Sequence, residues 1–162
     1  MSIRFFLFFL LFSVTMGVKQ ERKQIMRIMG IDYGDARTGV AISDLLCTLV
    51  GSAVVVPSRN TEKAIGDIVR LVRENQVGEI VVGLPRNMDG TEGARAELCR
   101  AFAKRLEEAT GLPVAMWDER RTTVEAHNIL SAHNSHGKKR KDTVDAVAAS
   151  LILEGYLAFR KR

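Results

Sequence analysis

From Arg27 to Tyr33 apolar, β-branched and polar positions follow the two-residue period of a strand, and Gly34 and Gly39 bound a tight turn. Val40 to Ser43 then continues as the hairpin partner, and Ala53 to Val56 predicts a third strand. The period changes at Asn60 or Thr61, either of which can cap a helix in which Ile65, Ile68, Val69 and Val72 recur on one face. That helix should end near Asn75. Glu79 to Val82 is a short buried strand, followed by the glycine- and proline-punctuated loop Gly83 to Gly93. A helix over Ala94 to Ala109 should bury Leu98, Phe102 and Leu106, with Gly111 as its stop.

Pro113 to Trp117 reads as the next strand, and it delivers Asp118 and Glu119 at its carboxyl end. Thr122 or Thr123 opens a helix through Leu130, and Ser131 to Lys141 is a polar stretch rich in His, Asn, Gly and Lys, expected to be mobile. A last helix is predicted from about Asp142, with Val144, Val147, Ala148, Leu151 and Ile152 as its apolar stripe and Asp145 at the border. Hairpin strands followed by strands alternating with helices predict an α/β layered fold with a mixed sheet. Ligands of such sheets gather at strand carboxyl ends, where Asp32 and Glu119 fall.

Composition narrows the class. The chain has 162 residues, 46% hydrophobic and 27% charged, which fits one globular domain and excludes disordered and fibrous proteins. Cys47 and Cys99 form no CxxC pair, so both read as plain thiols in a reducing compartment. Residues 1 to 25 stand apart: an unbroken apolar run from Phe5 to Phe12 follows Arg4, resembling a signal-peptide core but too short to span a bilayer comfortably. The strand pattern begins at Met26, so Met26 is read as the native start and 26 to 162 as the domain, with a targeting segment as the alternative. The net charge is +5, of which the leader carries +3, so nucleic-acid affinity must come from local patches such as Lys138-Lys139-Arg140-Lys141 and Arg160-Lys161-Arg162.

Three acidic stations carry the chemistry: Asp32, the pair Asp118-Glu119, and Asp142 with Asp145. Clustered carboxylates repel one another, so their convergence implies a cation. Two hard cations about 3.5–4 Å apart can activate water and stabilise both the attacking and leaving oxygens of a phosphodiester. Each station also has a plainer reading. Asp32 can form a turn, and Asp142 can cap a helix with Asp145 in its first turn. Neighbouring strand residues point to opposite faces, so one of Asp118 and Glu119 is expected in the site.

Taken together, GIDYGDARTGVAISD, VVGLPRNMDGTEG, WDERRTTVEA and KDTVDAVAASLILEGYL resemble the YqgF family of ribonuclease H-like proteins, described as pre-16S rRNA nucleases and earlier as Holliday junction resolvases. The resemblance runs from Met26 to about Tyr156. It implies a ribonuclease H-like fold and phosphodiester cleavage with Mg²⁺ or Mn²⁺, two ions in all. By motif it assigns catalysis and metal binding to Asp32, Glu119 and Asp145, with Asp142 and Asp118 as further candidate ligands. Glu119 is preferred to Asp118 because related resolvases use glutamate there. Many relatives read DxGTK where this chain has Asp32-Tyr33-Gly34-Asp35-Ala36-Arg37, so the threonine-lysine pair is missing, Arg37 is the candidate to supply its positive charge, and Asp35 is an unmatched carboxylate.

Arg37, Asn87, Arg120, Lys138, Lys139 and Arg140 are the expected substrate contacts. The expected partner is structured precursor rRNA, alternatively branched DNA, with ribosomal particles as a further partner and no membrane partner. The expected setting is cytoplasmic. A non-catalytic RNA-binding factor is the alternative of a different class. An actin-like ATPase is excluded because the chain is too short for its paired domains. His127, His133 and His136 read as solvated side chains rather than catalysts.

Overall fold

The computed structural model describes residues 26–121 and 138–161. The leader, the expected helix from Thr122 to Leu130 and the three histidines lie outside the described residues. A five-stranded sheet has the order β3-β2-β1-β4-β5, built from β1 (Arg27–Asp32), β2 (Arg37–Ser43), β3 (Val50–Pro57), β4 (Val77–Leu84) and β5 (Val114–Asp118). β1 to β3 form an antiparallel meander, whereas β4 and β5 join β1 in parallel. The helices are α1 (Thr61–Glu74), α2 (Ala94–Thr110) and α3 (Lys138–Arg160).

Alternation along the central strands builds two cores. Met29 and Ile31 of β1, Val40 and Ile42 of β2 and Ile80 and Val82 of β4 pack with Ile65, Ile68 and Val72 of α1 and Phe102 and Leu106 of α2. Ile28, Ala41, Val81 and Trp117 face the other way and pack on Ala149, Ile152, Leu153 and Leu157 of α3. Burying side chains of this size contributes about 1.5–3 kcal/mol each. The mixed α/β sandwich expected from the sequence is the one observed.

Local signals account for the helix ends. Asn60 caps α1, its side chain accepting a 3.0 Å hydrogen bond from the Lys63 amide, and Gly111 closes α2 in the left-handed conformation with φ 68°. Some details depart from expectation. β2 and β3 are longer than predicted, because Arg37–Ser43 pairs with residues from Pro57 to Val50, the register shifting between Ile42 and Ser43. Leu98 is 50% exposed, and Cys99 takes the buried position beside Phe102 and Ala103.

α3 begins at Lys138 rather than near Asp142, so the basic run expected in a loop forms its first turn. Lys and Arg are good helix formers, and nothing between 138 and 142 breaks the helix. Asp142 is accordingly inside the helix and not its cap. The buried stripe of α3 is also rotated, running through Ala149, Ile152, Leu153 and Leu157, while Val144, Val147, Ala148 and Leu151 are half-buried. Asp145, four residues before Ala149, therefore lies in line with the stripe and not at its edge. Among the described residues no helix is long and apolar enough to cross a membrane.

Candidate active site

β1 ends on Asp32, which pairs in register with Gly39 of β2. Ile28, Gly30 and Asp32 share the face covered by α3, and Met29, Ile31 and Tyr33 face α1 and α2. α3 approaches this end of the sheet closely because two glycines leave room. A Cβ on Gly30 would lie 2.7 Å from Leu153 Cβ, and one on Gly39 would collide with the backbone carbonyl of Asp145. The absent side chain of Gly39 thus sets Asp145 over the end of β1.

β5 brings the middle station. Trp117 faces α3, so alternation sends Asp118 to the opposite side, and the 3₁₀ turn Glu119–Arg121 then returns Glu119 to the α3 side. There its carboxylate folds over Gly83, where a Cβ would stand 2.5 Å from Glu119 Oε1 and 2.5 Å from Ile152 Cδ1. Asp118 is held elsewhere. Arg120 Nη2 reaches it at 2.7 Å and Arg86 Nη1 at 3.8 Å, and the Arg120 hydrogen bonds keep its carboxyl below the usual range.

Electrostatics ties Asp32 and Glu119 together. Burial, then the charge of Asp145, pushes the Asp32 carboxyl up to about 6, and the Arg95 guanidinium opposes this. Burial, then Asp32, pushes Glu119 up to about 7, again opposed by Arg95. Among the described residues no hydrogen bond supports either carboxylate. Asp145 is tethered by Arg37, whose Nε stands 2.7 Å from Asp145 Oδ2. Among the described residues no three such side chains already enclose an ion. The chemistry of the donors suits a hard cation: carboxylate oxygens from three elements, with Asp32 disfavoured by burial and by Asp145, and Glu119 by burial and by Asp32.

Of the expected substrate contacts, Arg37 lies beside Asp145, while Asn87 belongs to the Gly83 to Gly93 loop and Arg120 packs against it. Asn87 Nδ2 donates to Thr91 Oγ1 at 2.8 Å, and Arg120 Nη1 donates to the Asn87 carbonyl at 3.4 Å. The same loop carries the chain Arg86–Glu92–Arg100, with ion pairs of 2.6 and 2.7 Å. Lys138, Lys139 and Arg140 stand in the first turn of α3, about 10 Å along the axis from Asp145.

Sequence reasoning misses Arg95. It belongs to no charge run, and only its place just after a glycine-rich loop that follows a strand end hints at a site. Cys99, also nearby, is 2% exposed, and burial pushes its thiol up to about 11, so it is no nucleophile at neutral pH.

These shifts give the metal-free protein a defined pH response. Both carboxyls have folded pKa values above their unfolded ones, so between about pH 4 and 7 the folded state binds more protons, and stability falls as pH rises. For two half-buried, partly screened groups the loss is about 4 kcal/mol. Urea unfolding in EDTA at pH 5 and pH 8 checks it, and equal or greater stability at pH 8 would count against an uncompensated pair.

A family model described as "RuvX: Holliday junction resolvase" matches residues 26–159. A relative from Halothermothrix orenii named "Putative pre-16S rRNA nuclease" is 46% identical over 137 residues, covering 85% of this chain and 98% of that protein. One of the same name from Pelotomaculum thermopropionicum is 47% identical over 133 residues, covering 82% and 86%. Among solved structures, T. thermophilus RuvC in complex with Holliday junction substrate aligns with a TM-score of 0.53 at 14% identity, covering 83% of this chain and 96% of that one. That likeness shows the ribonuclease H-like fold. Together the family match and the identity over nearly the whole domain place this chain in the RuvX, or YqgF, family of nucleases.

Proposed function

We propose that this protein is a divalent-metal-dependent endonuclease that processes the 5′ end of precursor 16S rRNA in the cytoplasm. The observation that carries the reading is the placement of Asp32 at the end of β1 and Glu119 just after β5, on either side of β4 and on the face covered by α3, which carries Asp145, with no hydrogen bond among the described residues to compensate the charge of Asp32 or Glu119. The names of the relatives supply the substrate class. Structured RNA, alone or within a ribosomal particle, is the partner this implies.

Asp32, Glu119 and Asp145 would hold Mg²⁺ or Mn²⁺, with Asp142 as a further candidate and Asp118 a weaker one because of its guanidinium partners. Bound there, such ions would supply an activated water and neutralise charge on the phosphate oxygens. The chain's own contribution is placement. Arg37 fixes the Asp145 carboxylate, and Gly83 lets that of Glu119 lie flat over β4. Arg86, Arg100 and Arg120 stand at the loop in ion pairs with Glu92 and Asp118, and the first turn of α3 adds the basic run Lys138, Lys139 and Arg140 for backbone phosphates.

The family description favours a second substrate, the four-way DNA junction. Both need the same acidic centre and basic rim, so the assay must offer both. Purified protein is expected to cut a precursor 16S rRNA fragment in Mg²⁺ or Mn²⁺, to fall silent in EDTA, and to leave a mobile four-way junction largely intact. Cutting of the junction alone overturns the RNA reading. Binding without cutting by the wild-type protein in either metal would leave a non-catalytic RNA-binding factor.

A further inference from the structure

Asp35 has no place among the carboxylates that face α3, and Arg95 belongs to no expected substrate patch, yet the two stand together. Arg95 Nη1 is 2.5 Å from Asp35 Oδ1, and Nη2 donates to the carbonyl of Tyr33. The guanidinium also lies over the Tyr33 ring, 5.4 Å from its centroid, and that ring stacks on Phe102 at 4.0 Å. Tyr33 directly follows Asp32. A cation rooted in the first turn of α2 is thus anchored on the turn that leaves the first candidate ligand, close enough for its charge to act on both Asp32 and Glu119.

We propose that Arg95 contacts a backbone phosphate of the nucleic-acid substrate beside the carboxylate site, exchanging its ion pair with Asp35 for the phosphate. This rests on the nuclease reading and deepens it. Two of the three anchors on the guanidinium, the Tyr33 carbonyl and the ring face, remain available when the third changes. That third anchor is the weak one. Asp35 is 78% exposed and Arg95 38%, so the pair lies in water, where such contacts contribute at most about 1 kcal/mol. A phosphate offers the same planar fork two acceptor oxygens and a stronger charge-assisted bond. The tyrosine already orders the arginine, so little further side-chain entropy is lost on binding. Asp35 then has a role without metal: it occupies Arg95 while substrate is absent.

A structural clamp and a phosphate contact predict opposite signs for Asp35. Binding of a short RNA duplex by the full chain in EDTA, followed by fluorescence anisotropy across a salt series, separates them. Arg95→Ala should weaken binding about tenfold and lower the salt slope by about one phosphate, with Arg95→Lys intermediate. Asp35→Asn should tighten binding a few-fold, and the double variant should match Arg95→Ala, because Asp35 acts through Arg95. The proposal is overturned if Asp35→Asn weakens binding as Arg95→Ala does. An unchanged salt slope in Arg95→Ala, or a full Asp35→Asn gain persisting without Arg95, also overturns it. If wild-type protein cuts RNA in Mg²⁺ while this cycle is flat, the Arg95 inference fails alone. If wild-type protein neither binds nor cuts, both fail.

Discussion

Asp32→Asn is expected to make the metal-free protein more stable while removing its activity. The Asp32 carboxyl is pushed up to about 6 from 3.8 by burial and by Asp145. At neutral pH the fold therefore carries an ionised group in surroundings that disfavour the charge. Two pKa units correspond to ~3 kcal/mol, which partial solvent exposure reduces to about 2 kcal/mol. Asparagine has nearly the same shape and no charge, so it recovers that energy and raises the melting temperature by roughly 5–10 °C in EDTA at pH 8. At pH 4 the native carboxyl is itself largely protonated and the gain should shrink towards zero. Mg²⁺ reverses the order, stabilising wild type through binding to the folded state and leaving the variant nearly unmoved. Cleavage should fall by about 10³-fold, corresponding to ~4 kcal/mol of lost transition-state stabilisation. Calorimetry in EDTA and in Mg²⁺, paired with a cleavage assay, checks every limb. Destabilisation of the variant at pH 8, or full retained cleavage, would remove Asp32 from the proposed centre.

The same residue shows why parts of the site are legible in the chain. Asp32 closes an apolar run that breaks at a glycine turn, so the strand and its acidic end can be read, although both faces of that strand are buried. Family resemblance favours Glu119, but periodicity does not reach it. β5 ends at Asp118, and the placement of Glu119 depends on the 3₁₀ turn that follows, which keeps it on the face of Trp117, and on Gly83 one strand away. Asp145 reads from the sequence as bordering the buried stripe of α3, whereas in the fold it lies in line with that stripe. An alanine-rich helix offers two overlapping apolar stripes, and only packing against the sheet selects between them. Leu98 differs for a related reason: hydrophobicity favours it over Cys99, but the packing of Phe102 and Ala103 sets the phase of α2. The pairing of Arg95 with Asp35 leaves no local signal, because they are 60 residues apart and only the closure of α2 over the end of β1 brings them together. Periodicity reveals elements and faces. Contacts between one turn and another come only from assembly.

Assembly at the site depends most on one missing methyl group. Gly39→Ala is expected to lower cleavage by about 10²-fold and to destabilise the fold by about 2–3 kcal/mol, even though the substitution adds no charge and touches no carboxylate. The new Cβ would be driven into the Asp145 carbonyl oxygen, and Ala149 Cβ stands only 3.1 Å from the same point. A backbone carbonyl cannot rotate aside as a side chain can, so α3 must lift from the sheet as a body. Lifting loosens Ala149, Ile152 and Leu153 from β1 and β4, and overpacking of this kind costs about 1–3 kcal/mol. It also carries Asp145 away from Asp32, and misplacement near 1 Å is enough to lose about 10²-fold in rate. One consequence separates displacement from simple unfolding: with Asp145 withdrawn, burial alone remains to raise the Asp32 carboxyl, so the metal-free variant should lose less stability between pH 4 and 7 than wild type. Gly66, on α1 with open space around it, is the control, since Gly66→Ala should leave cleavage unchanged and slightly stabilise the helix. A Gly39→Ala protein with native melting behaviour and native rate would show that α3 does not depend on this contact to place its carboxylate.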